Sequence, residues 1–153
     1  MVHGFFSDSR LLWRVVLIAL GVVSVAAWAI GACILFPDRL AQIVTVAAWA
    51  EFVVYVLIVV FVTDAFAVAI ANYLPSTLFL IVAFFAAYRF NPATPLAFGL
   101  GGLLLTLVAA AVQQRGIALH PKYFNHNALY HMLQAIALLW IFKSAPFLAT
   151  PVP

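Results

Sequence analysis

The stretch His120–Gln134, HPKYFNHNALYHMLQ, gathers three histidines, two asparagines and a glutamine in an otherwise apolar chain. Three imidazoles with one position left open are a ligand set that zinc accepts, and a zinc-bound water loses its proton near a pH of about 7. His120, His126 and His131 are the candidate metal ligands. Asp64 is the candidate acid to orient or deprotonate such a water, and Glu51 is a second candidate catalytic carboxylate. Gln113, Asn127 and Gln134 are the polar neighbours that could donate to a developing oxyanion. Asn127, His131 and Gln134, spaced four and three apart, share one stripe of a helix. His126 and His131 are five apart, about 140° around an ideal helix, so two in-helix histidines would diverge. They meet only if Asn127 is the N-cap, which places His126 at N′ and His131 at N4. Two other readings of the same residues stay open. Interfacial histidines and capping asparagines can simply bond water, headgroups and backbone, or one histidine can ligate a pigment such as haem or chlorophyll.

The elements that must carry these groups follow from composition. Of 153 residues, 68% are hydrophobic and only 7% charged. A soluble domain carries about 25% charged residues, so the expectation is one all-α integral membrane bundle in a single domain, 1–153. The seven Lys/Arg are scattered near the ends of apolar runs, as anchors are and as a nucleic-acid footprint is not. A lone Cys33 among apolar residues gives no disulfide framework. The first apolar run continues through Phe36, longer than the roughly 7–15 residues of a signal-peptide core, and so reads as a span.

A crossing takes about 20 apolar residues. Breakers divide the chain into five, near 15–36, 41–62, 65–88, 96–114 and 127–145. PDR at Pro37–Arg39 closes the first, VTDA at Val62–Ala65 separates the second and third, and RFNPATP at Arg89–Pro95 separates the third and fourth. The alternative break, at NYLPST near residue 73, leaves one piece too long and one too short. With the break at Asp64, Pro75 falls inside the third span and should kink it. Arg115 and Gly116 end the fourth span. An odd number of spans puts the chain ends on opposite sides. An inside N-terminus places Arg10, Arg14, Arg115 and Lys122 inside, against Arg39, Arg89 and Lys143 outside.

Helices in lipid gain little from pairing Leu with Leu, so small and polar residues mark their contact faces. Gly99, Gly102, Thr106, Ala109 or Ala110, and Gln113 form such a stripe in the fourth span, and Ser24, Ala27 or Trp28, and Gly31 in the first. Glu51 lies mid-span, where a carboxylate costs about 2.5–3.5 kcal/mol on insertion scales. It is expected to be protonated, paired or facing a wet cavity, level with Ser76 beside Pro75. Its role is either proton handling and ligand contact or a hydrogen-bonded structural one.

VQQRGIALHPKYFNHNALYHMLQ resembles the C-terminal signature of a group of multi-pass bacterial membrane proteins of unassigned role, which carry an FNHNDLYH-type stretch. More distantly, a histidine pair opening the last helix resembles the CREST superfamily, which includes the alkaline ceramidases and the progestin/adiponectin receptors. That resemblance implies a seven-span bundle with zinc held by three histidines beside an Asp and a Ser, acting on lipid amides. It would assign His126 and His131 as last-helix ligands and Asp64 as the acid. The pair here is H-x4-H where the superfamily has H-x3-H, the spans number five, and the third ligand would have to be His120.

Two functions of different class follow. One is a zinc-dependent hydrolase of a lipid amide or ester with a His-rich interfacial site. The other is a non-catalytic accessory or structural subunit, or a lipid or pigment binder. The partners expected are membrane lipids, further copies of the chain or a larger membrane complex, with no nucleic acid. The expected location is a bacterial inner membrane with the N-terminus in the cytoplasm.

Overall fold

The computed structural model describes residues 3–120 and 124–149, with side chains described for 9–120 and 124–146. The architecture is all-α: α1 (His3–Leu35), α2 (Asp38–Leu57) running into a π-helical turn (Ile58–Val62), α3 (Phe66–Phe90), α4 (Thr94–Arg115) and α5 (His126–Ala149). Each provides a stretch long and apolar enough to cross a membrane. The second and third spans part at Thr63–Ala65, as the capping residues there predict. The chain divides into two compact units, Met1–Ala83 and Phe84–Pro153.

In the first unit, Pro37 breaks α1 from α2. Its extended backbone caps α2, and its carbonyl accepts from the N–H groups of Leu40 and Ala41. Asp38 then sits in the first turn, where the helix dipole favours a negative charge. Leu17, Tyr55, Val59 and Ala69 form the core. Gly21 lets α2 approach, because a Cβ there would stand 2.7 Å from the Tyr55 ring and 2.8 Å from that of Phe52. The Tyr55 hydroxyl reaches past it to donate to the Leu17 carbonyl at 2.8 Å. Gly31 likewise makes room for Phe79, on which Trp28 also packs at 4.7 Å between centroids.

α3 runs through Pro75. Proline lacks an N–H and crowds the carbonyls of the preceding turn, and hydroxyls gather there. Ser24 Oγ of α1 lies 3.1 Å from the Asn72 carbonyl and 2.9 Å from Ser76 Oγ. Ser76 donates to the Tyr73 carbonyl at 2.9 Å. Ser24, Asn72 and Ser76 are all buried.

In the second unit the expected stripe of small residues is buried on α4: Gly99, Gly102, Thr106 and Ala109. A Cβ on Gly102 would stand 2.7 Å from the Ala137 carbonyl oxygen, so α4 and α5 touch backbone to backbone. One on Gly99 would strike the Phe84 ring and lie 2.8 Å from Ser144 Oγ. α4 ends on Gly116, whose φ of 63° is left-handed. Its N–H reaches the Gln113 carbonyl, and that of Ile117 reaches Val112, a paired closure that glycine permits.

Candidate functional site

The histidine segment begins in the short link before α5. The main chains of His120 and Phe124 exchange hydrogen bonds of 3.0 and 2.9 Å, closing a small loop. Pro121, Lys122 and Tyr123 of this segment lie outside the described residues.

The helix cap differs from the expected one. Asn125, not Asn127, caps α5: its Oδ1 accepts from the Ala128 N–H at 3.0 Å, and its carbonyl accepts from Leu129 at 3.0 Å. His126 therefore occupies the first helical position, and His131 follows five residues later within the same helix. Side chains so spaced diverge by about 140°. The register in which they would have faced one another is not formed. Both are exposed, as is Asn127, and the His131 ring lies edge-on to Tyr130 at 5.0 Å. Gln134 is half-buried. Among the described residues no three of His, Cys, Asp or Glu converge as a metal-binding group.

Gln113 sits where the α4 stripe predicts. Its Oε1 is fully buried and has no hydrogen-bond donor. α4 and α5 run antiparallel, with Gly99 beside Ser144 and Gly102 beside Ala137 and Ile141. Continued along the pair, that register puts Gln113 level with the first turns of α5.

Asp64, in the first unit, is engaged by α1. Arg10 Nε lies 3.7 Å and Arg14 Nε 3.6 Å from its Oδ2. Trp13 Nε1 donates to its carbonyl at 2.8 Å, and the Trp13 ring leans on Phe66 at 5.9 Å. By sequence alone these arginines are separate anchors at the end of an apolar run. Their spacing of four, which places both on one face of a helix, was the available signal of a shared partner.

Glu51 lies thirteen residues into the span Asp38–Val62 and eleven from its end. At 1.5 Å per residue that is about 20 and 16 Å, the middle of a hydrocarbon core about 30 Å thick. Its side chain is exposed, and it makes no hydrogen bond or ion pair with the described residues. The expected neighbour, Ser76, is bonded to Ser24 and Tyr73 instead. The buried positions of α2 are Ala41, Ala48 and Tyr55, at intervals of seven. Glu51 stands to one side of that line, about 60° round the helix.

No curated protein and no solved structure matches the chain. A family model matches residues 1–150, and the chain belongs to that family, the Family of unknown function (DUF6962).

Proposed function

We propose that the chain is a non-catalytic accessory subunit of a larger membrane assembly, which it joins through the Glu51 face of α2. One observation carries this reading: a carboxyl group at mid-span depth is exposed and unpaired. Only 17% of the α2 span is buried, as of the fifth span, against 33–39% for the first, third and fourth, and of these two α2 alone carries a carboxyl group in mid-span. Ionisable groups at such depth face a bundle interior or a water-filled cavity and pair with a complementary group. This chain has no complementary cation to offer from another copy, because its lysines and arginines all lie toward span ends. The partner is therefore a different membrane protein, one presenting Lys or Arg at that depth.

A photo-crosslinker at Ala47 or Val54, exposed beside Glu51, tests the reading in native membranes. It should trap one membrane protein whose crosslinked helix carries a lysine or arginine at matching depth. Glu51→Leu should abolish the adduct while the chain remains folded. Adducts with lipid alone, or only with another copy of the chain, would refute it. For location, the proposal is a bacterial inner membrane with the N-terminus inside, in line with four basic residues on that side against three.

A second reading, a CREST-like zinc hydrolase of lipid amides or esters, draws on the loop that ties His120 to Phe124 just before the helix bearing His126 and His131. The described residues give zinc no three-ligand group, and Asp64 is held by two guanidinium groups. Elemental analysis of detergent-purified protein separates the two readings, since the hydrolase requires near-stoichiometric metal that His131→Ala removes.

A further inference from the structure

We infer that Arg10, Arg14 and Trp13 form a binding site for the phosphate of an anionic phospholipid. The charge balance comes first. Two guanidinium groups share one carboxylate oxygen, so the cluster keeps one positive charge in excess. The separations of 3.6 and 3.7 Å exceed hydrogen-bond length, and Arg14 Nε is buried with no acceptor. Each guanidinium has five N–H donors in a planar fork suited to phosphate oxygens. Asp64 thus gathers the pair onto one side of α1 without saturating it.

The place of the cluster comes second. It lies where the apolar run of α1 begins and where the turn after α2 leads into α3. Trp13 is pinned there by its bond to the Asp64 carbonyl and by Phe66. A tryptophan with its N–H engaged and its ring on an apolar neighbour suits the headgroup level of a bilayer.

The neighbouring strip of the same helix comes third. Leu11 and Val15, themselves four apart, are 66% and 55% exposed. They flank the arginine pair, about 100° round the helix, as an apolar strip that acyl chains would cover. Free phosphate would use the guanidinium groups and leave this strip bare, so the paired features select a lipid.

The test uses the full chain in detergent, with native mass spectrometry and thermal unfolding. Phosphatidylglycerol should be retained and should raise the melting temperature. Phosphatidylcholine, and inorganic phosphate at equal concentration, should do neither. Arg10→Gln with Arg14→Gln should weaken phosphatidylglycerol retention about tenfold or more, whereas Arg115→Gln, a basic residue at another helix end, should not. If the double variant fails to fold, Arg10→Gln alone gives the answer, because that side chain is 73% exposed and dispensable for packing. Equal retention of the two lipids, equal loss in Arg115→Gln, or full retention by Arg10→Gln would overturn the site. Stabilisation by inorganic phosphate alone would overturn its assignment to a lipid.

Discussion

The α4–α5 pair and helix α2 solve the problem of packing in lipid in opposite ways. α4 meets α5 through glycines, with backbone against backbone and the contact buried along the whole Gly99–Ala109 stripe. α2 meets α1 by inserting rings, Tyr55 and Phe52, beside the single Gly21, and leaves most of its circumference bare. Glycine contacts bring main chains close enough for dispersion and weak polar attraction to accumulate, which is what holds helices together without a hydrophobic drive. The contrast teaches where each helix is finished. α4 buries its stripe of small residues against α5, whereas α2 carries an exposed acid on a wide, exposed apolar surface.

The comparison can be broken most forcibly at Gly102. Gly102→Val should cost about 3 kcal/mol, because overpacking a filled contact typically costs 1–3 kcal/mol and here the obstacle is main chain. Unfolding titrations in mixed micelles would measure it. Tyr55→Phe removes the bond to Leu17 and keeps the ring, so a loss of about 1 kcal/mol is expected by the same method. Asn125→Ala should also cost about 1 kcal/mol, localised as faster amide exchange in the first turn of α5. Asn127→Ala should change little, which distinguishes the observed cap from the one the sequence suggested. The smallest effect belongs to Glu51→Leu in the isolated chain, where stability should stay level or rise slightly. On the proposed reading its consequence is confined to assembly, so a large loss of monomer stability would erase the distinction between the two regions.

The number of helices and the breaks between them were legible because the breakers act locally: Pro37 has no N–H to give, Gly116 takes a left-handed turn, and Thr63–Ala65 interrupts an apolar run. The start of α1 was not, since the helix begins at His3, well ahead of the apolar run expected from residue 15. The buried stripe of α4 was legible for a similar reason, since small residues at intervals of three and four have few other uses in lipid. The candidate site was less so. Asn125 and Asn127 are equally good caps by residue type, and shifting the cap by two positions turned the His126–His131 pair from facing to diverging. Asp64 was read as a free acid because its partners lie about fifty residues earlier on another helix. Ser76 was matched with Glu51 by depth, a measure that cannot tell which helix supplies the partner, and Ser24 supplies it.

The π-helical turn at Ile58–Val62 holds one residue more than an α-helix would use, closed by the bond from Thr63 N–H to the Ile58 carbonyl at 2.9 Å. That surplus is a length reserve just ahead of the Asp64 turn. Deleting Val60 should let the turn tighten into ordinary helix, with Asp64 still within reach of α1. Deleting one residue in mid-α2 instead swings everything beyond it by about 100°. Insertions and deletions along this span should therefore be tolerated unevenly, with the lenient zone confined to five positions.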